Sequence, residues 1–371
     1  MIQPTPPSSA APRAIGRWGF AVTGLLAAYL LLTYLSCRPG KEPQAADFQI
    51  DEPAEFARLL YPAANPSTAA GVELGRRLFY DPILSADSTI SCQSCHRPEL
   101  AFTDGGATST GIGGRRGRRS APSLTNVGYL HQTLFWDGRS DDLETQALHP
   151  VAAPDEMGGD WPTIIQRLRR HPDYGKRLTE ALQLAGPQEI SPDHVGRALA
   201  QFQRSLISSD SKYDRVQRGE AEFTPAELRG WAIFFDADEN LPDAECGHCH
   251  NAPHFTNQEF FNNGLDTARS LGDFADKGRG AITGHAWQNG LFRTPSLRNV
   301  AVTAPYMHDG RFSTLEEVID HYNTGGAYAE NVSPNVRPLH LSEQDKADLV
   351  TFFGTLTDSV FLAREAYGSP F

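Results

Sequence analysis

The chain has 371 residues, 40% hydrophobic and 21% charged, a balance that excludes a disordered polypeptide and suits two domains or one core with two small modules. Its formal net charge of −12 makes nucleic acid a poor partner, because binding a phosphate backbone needs a basic face. The basic run Arg115–Arg119 is a local exception and reads as a solvated loop.

In chain order, Arg13 and Arg17 precede an apolar stretch from Trp18 to Leu35, followed by Ser36-Cys37 and the polar Arg38-Pro-Gly-Lys41. This pattern is that of an export segment, near the lower length limit for a bilayer span. A cleaved signal peptide, a lipoprotein signal cut and lipidated at Cys37, and an uncleaved membrane anchor all fit it. Residues 1–37 are therefore set apart from the fold, and the Pro/Ala-rich residues 38–66 read as a linker. Beyond it, apolar periodicity and N-capping residues predict helices over Thr68–Phe79, Asp141–Leu148, Trp161–His171, Ser191–Leu206, Thr224–Phe235, Thr314–Tyr322 and Ser342–Leu356. Gly- and Pro-rich segments such as Asp104–Arg119 and Asn262–Gly290 read as long loops. No run of alternating strands appears, so the expected class is mainly α.

The chain has five cysteines, and four of them fall into Cys92-x-x-Cys95-His96 and Cys246-x-x-Cys249-His250. Only Cys37 is left over, which excludes a disulfide framework. One such string would keep structural zinc in play, but two copies of the full string point to covalent attachment of two c-type haems. The thiols, one turn apart, bond the haem vinyl groups and the adjacent histidine becomes the proximal iron ligand. Attachment of this kind implies export, and hence a periplasmic location.

The sequence then repeats itself. Gly75-Arg-Arg-Leu-Phe-Tyr-Asp81 returns as Gly230-Trp-Ala-Ile-Phe-Phe-Asp236, and each block is followed by a haem string. Pro122-Ser-Leu-Thr-Asn-Val127 returns as Pro295-Ser-Leu-Arg-Asn-Val300. Asp137-Gly-Arg139 matches Asp309-Gly-Arg311, with Leu143-Glu144 and Leu315-Glu316 four residues after each arginine. Two cytochrome c-like haem domains arising from an internal duplication are expected, over residues 67–210 and 211–371. The halves differ where chemistry needs them to: seven residues beyond Leu315 stands Tyr322, but seven beyond Leu143 stands Pro150. If this position faces the iron, the second haem gains an oxygen ligand and the first stays open. His321 and Met307 are rival ligands, although His149 matches His321 in the other half.

The haem strings, Phe135-Trp-Asp-Gly-Arg139, Gln146, Glu156-Met157 and Thr303-Ala-Pro-Tyr-Met-His-Asp-Gly310 resemble the bacterial di-haem cytochrome c peroxidase and MauG superfamily, across nearly all of Asp51–Leu356. The resemblance implies a peroxidatic haem in the first domain and an electron-transfer haem in the second. It implies that Trp136 lies between the haems and that Gln146 and Glu156 stand above the open one. Tyr322 falls where the peroxidases usually have methionine and MauG has tyrosine, and Pro150 also matches MauG. The resemblance further implies an inter-domain calcium held by the backbone carbonyls of Thr303 and Pro305 and, in place of the family's asparagine, by Ser120. Many of the peroxidases block the first iron with a histidine from the following loop; none occurs between Arg97 and Leu130, so a five-coordinate first haem is expected even in the oxidised protein.

The expected activity is that of an oxidoreductase reducing hydrogen peroxide, with Glu156 as acid–base group, Gln146 orienting peroxide and Trp136 relaying electrons. A small cytochrome c or blue-copper protein is the expected donor, and the family resemblance adds a homodimer as an assembly. MauG-like oxidation of a protein or organic substrate is the alternative, and a non-enzymatic di-haem electron carrier the third reading.

Overall fold

A computed structural model describes residues 49–130 and 133–371. The export segment and Cys37 lie outside the described residues. Among the described residues no helix is long and apolar enough to cross a membrane.

Helices form where local chemistry favours them. α1 (Ala69–Tyr80) starts behind Thr68, whose hydroxyl accepts from the Gly71 amide at 3.0 Å. The segment predicted as one helix over Asp141–Leu148 is instead two short ones, α2 (Leu143–Gln146) and α3 (Leu148–Ala152), meeting at Ala147. Pro150 is the physical reason: it has no amide to continue the ladder back to Gln146. α4 (Trp161–Arg170) and α6 (Pro192–Arg204) occupy their predicted places, and the unanticipated α5 (Tyr174–Ala181) lies between them. α7 (Lys212–Gln217) was also not anticipated. α8 (Pro225–Phe235) has a proline in its first turn and a Thr224/Glu227 capping box. α9 (Cys246–Cys249) and α10 (Arg279–Thr283) are single turns. α11 (Leu315–Asn323), α12 (Glu343–Gly354) and α13 (Ser359–Leu362) complete the set, and α12 is capped by Ser342 and Asp345. The sheet among the described residues is one antiparallel pair, β1 (Phe260–Phe261) with β2 (Phe292–Arg293), so the architecture is mainly α.

Two helix crossings organise the structure: α1 packs on α6, and α8 packs on α12. Both depend on glycine. A Cβ on Gly75 would lie 2.0 Å from the Ala198 carbonyl oxygen, and one on Gly230 would lie 2.1 Å from that of Asp348. Each crossing is therefore backbone against side-chain-free backbone, and the glycines stand at matching places in the repeated blocks. Around the first crossing lies a core including Leu78, Phe79, Phe102, Val151, Leu168 and Phe202. Around the second lies one including Ile233, Phe234, Phe255, Leu349 and Phe352. The division does not follow chain order throughout, since Phe361 and Tyr367 belong to the first core. The Tyr80 hydroxyl donates to the Tyr367 carbonyl at 2.5 Å, and the Arg76 guanidinium donates to that of Gly368 at 2.8 Å.

The repeated Asn126 and Asn299 both adopt left-handed backbone, at φ 55° and 60°, a conformation asparagine visits more readily than most residues. The Asn126 side-chain oxygen accepts from Ser208 N at 2.7 Å, and that of Asn299 accepts from Asp358 N at 2.8 Å. Ser208 then donates its hydroxyl to Asp358 at 3.0 Å, joining the two asparagine sites. Nearby, fully buried Arg298 makes a bidentate pair with Asp214 at 2.8 and 2.9 Å. Within the stretch read as a linker, Ile50, Phe56 and Leu59 are buried against Tyr129 and Ile207.

Candidate functional site

Each Cys-x-x-Cys-His string is a tight turn followed by a histidine whose ring is already oriented. His96 Nδ1 faces the Phe102 carbonyl at 2.7 Å, and His250 Nδ1 faces the Phe255 carbonyl at 3.0 Å. A carbonyl can only accept, so Nδ1 carries the proton and Nε2 keeps its lone pair for a metal. Burial lowers the pKa of both imidazoles, that of His250 to about 4, which keeps them neutral. Phe102 and Phe255 are fully buried with positive φ (62° and 53°), so both halves aim a carbonyl by the same backbone twist. Among the described cysteines none forms a disulfide. Burial raises the Cys92 and Cys246 thiols to about 12 and Cys95 to about 11.

The His96 string opens into a cavity of about 1060 Å³, whose walls include Trp136, Gln146, Pro150 and Glu156. The single stretch 136–156 thus brings the expected residues of the first site to the cavity of the His96 string. Pro150 offers no donor atom. Burial raises the Glu156 carboxyl above the ordinary carboxylate range, against the opposing charge of Arg139. His149, beside Pro150, packs edge-on against Phe135, with ring centroids 5.6 Å apart.

The His250 string faces a narrower cavity, about 240 Å³, walled by Tyr322, Met307 and Asn263 among others. The Asn263 amide donates to the Tyr322 hydroxyl at 3.2 Å and approaches the Met307 sulfur at 3.5 Å. Burial raises the Tyr322 phenol to about 12. His321 is engaged elsewhere, its Nε2 held 2.9 Å from the Asn263 carbonyl. Asn263 thus holds all the rival ligand residues in place, a role with no signature in the sequence.

Trp136 lines both cavities and donates its indole N–H to the Ser120 carbonyl at 2.9 Å. Arg293 lines both as well. Its amide donates to the Trp136 carbonyl at 2.8 Å and its Nε to that of Phe135 at 3.2 Å. It is 5% exposed, and Nη1 has no partner among the described residues. A buried guanidinium without an anion is costly, and burial lowers its pKa to about 10. Haem carries carboxylates as well as iron, so the thiols, the pre-aimed imidazoles and this unpaired cation together fit the cofactor. The residues expected to hold calcium, Ser120, Thr303 and Pro305, all line the second cavity and bring no carboxylate to it. The Ser120 hydroxyl donates to the Met307 carbonyl at 2.9 Å.

Comparison with known proteins accords with this arrangement. Residues 69–222 match the family model described as di-haem cytochrome c peroxidase. The methylamine utilization protein MauG of Methylorubrum extorquens is 38% identical over 298 residues, spanning 80% of each chain. The chain belongs to the di-haem cytochrome c peroxidase and MauG family. Another relative in that family, cytochrome c551 peroxidase of Nitrosomonas europaea, is 33% identical over 296 residues, covering 80% of this chain and 82% of its own. The crystal structure of a MauG-like protein associated with microbial copper homeostasis superposes with a TM-score of 0.80 at 37% identity, covering 87% of this chain and 99% of that one. Membership of the di-haem family makes the chain a haem-dependent oxidoreductase of peroxidase type, and it implies two haem c groups. Relatives carry both peroxidase and MauG names, so membership alone does not choose between those activities.

Proposed function

We propose that the protein reduces hydrogen peroxide to water at an open haem on His96, with electrons relayed from a haem on His250 through Trp136. The observation that carries this reading is the first cavity, where donorless Pro150, the raised carboxyl of Glu156 and the amide of Gln146 share one wall with Trp136. The haem on His96 supplies the iron at which the oxygen–oxygen bond is broken. Gln146 orients peroxide by hydrogen bonding. Glu156 takes the proton from one oxygen and returns it to the other, which leaves as water. Two electrons and two further protons complete the conversion to water. Trp136, packed in the wall common to both cavities, is the relay, and Tyr322 together with His250 would hold the iron of the second haem. The matched glycine crossings and asparagine turns support an internal duplication with modules near 67–210 and 211–371. The donor is a small cytochrome c or blue-copper protein in the periplasm.

One observation favours a second reading, MauG-like oxidation of a protein or organic substrate. A phenol rather than a thioether at position 322 stabilises the ferric second haem and weakens it as an electron acceptor. Stopped-flow mixing with hydrogen peroxide, with and without reduced cytochrome c, separates the readings. Rapid discharge of the oxidised protein by cytochrome c supports the peroxidase. A long-lived oxidised species that cytochrome c does not discharge supports MauG-like chemistry, and no reaction at either haem leaves only an electron carrier. Electron paramagnetic resonance of the oxidised protein should show one high-spin and one low-spin ferric haem.

A further inference from the structure

Three arginines are buried among the described residues, and two of them have an anion beside them. Arg298 makes its bidentate pair with Asp214, and Arg204 pairs with Glu144 at 2.6 Å. Arg293 is the exception. Its backbone is fixed on β2 opposite Phe260, and its side chain makes one hydrogen bond among the described residues, from Nε to the Phe135 carbonyl. That partner is neutral, so the positive charge stays uncompensated. Burial alone lowers its pKa, and the group is still a cation at neutral pH.

The carboxylates lining the two cavities do not meet this cation. In the first, Asp137 and Asp276 are held by Arg119, and Asp266 and Asp309 by Arg311. Asp155 and Glu156, on the same wall, exert no charge on Arg293. The second cavity carries a single carboxylate, Glu245, which Arg337 engages, and a single lysine or arginine, which is Arg293 itself. A buried charge without a partner is costly, and a guanidinium does not escape by losing its proton. The missing anion therefore belongs to what fills the cavities.

We propose that Arg293 is the shared counter-charge of the two haems, binding a carboxylate of the haem on His250 and, from the same buried position, a carboxylate of the haem on His96. With Nε held by Phe135, both terminal nitrogens are left to donate, and a guanidinium fork matches carboxylates in charge and geometry. Arg119 is the rival, but it lines only the first cavity and is already neutralised by two aspartates. A fixed positive charge favours the reduced form of a nearby iron, so one residue raises both reduction potentials together. The Arg293 amide also holds the Trp136 carbonyl, which ties that charge to the wall the two sites share. The inference needs two bound haems and goes beyond the choice between peroxidase and MauG-like chemistry, so it is read without peroxide.

The experiment is a spectroelectrochemical titration of the two-haem protein, with Arg293→Gln and Arg293→Lys beside the parent. Glutamine keeps a donor and removes the charge, so both haems should move about tenfold toward the ferric form, about 59 mV each at one electron. Lysine keeps a charge in the same wall and should restore most of that shift. A residue that merely fills space would not give a loss in both haems that a second kind of cation repairs. Should Arg293→Gln fail to assemble with two haems, assembly of Arg293→Lys near the parent's potentials supports the proposal, since charge is what separates the two variants. Parental potentials in Arg293→Gln, a shift confined to one haem, a shift that lysine does not repair, or failure of both variants to assemble would overturn it. Unreactivity of the parent toward peroxide would remove the catalytic reading and leave the counter-charge standing.

Discussion

Replacing Glu156 by glutamine keeps the shape of the side chain and removes only its ability to exchange a proton. General acid–base groups contribute about 10²–10⁴-fold in rate, or about 2.7–5.4 kcal/mol of barrier. Burial is the largest influence on this carboxyl and raises its proton affinity, while the charge of Arg139 opposes this in part. A loss of about 10²–10⁴-fold in the bimolecular rate with peroxide is expected, with Gln146 still present to orient the substrate. The parent rate should fall as pH drops through the raised pKa, whereas the variant should be flat there. Stability should move the opposite way. A carboxyl whose folded pKa is raised stabilises the fold below its unfolded pKa and loses that contribution as pH climbs through the folded one. Glu156→Gln should therefore be more stable than the parent at neutral pH, with the gap closing below the ordinary carboxylate range. Stopped-flow kinetics and denaturant titrations at several pH values, on protein with both haems attached, supply the two measurements. An unchanged peroxide rate, or a variant less stable than its parent at neutral pH, would refute the reasoning.

Tyr322→Met should alter the absorption spectrum of the second haem and raise its reduction potential in spectroelectrochemical titration; an unaltered spectrum would transfer the ligand role to Met307 or to no residue. Arg298→Ala strands the buried Asp214 carboxylate, and because neither partner is solvent-screened it should cost about 3–5 kcal/mol of stability, read from the denaturation midpoint.

The haem strings were legible because covalent attachment demands neighbours in sequence, and local spacing is what a sequence displays. The capped helices were legible for the same reason: Thr68, Thr224 and Ser342 each announce the helix they begin. α5 and α7 were not, since eight residues with two buried apolar side chains, and six with one, are too short for periodicity to emerge. The break between α2 and α3 was readable from Pro150, a residue noted for its missing donor but not for its missing amide. Arg293 and Asn263 gave no signal. One is a lone arginine on a two-residue strand and the other a loop asparagine, and their importance lies in burial and partners supplied by distant segments. The gathering of Trp136, Gln146 and Glu156 was suggested by family resemblance, because no local rule brings three loop and helix-end residues to one cavity wall.

The packing of Phe361 and Tyr367 into the first core ties the His96 half to the far end of the described chain. The Phe361 ring lies 5.9 Å from that of Phe102, whose carbonyl holds His96. The buried members of the second core are all in place by Leu356. A chain stopped there would keep that core and leave the first one unfinished, so the half that is made first is the last to be completed.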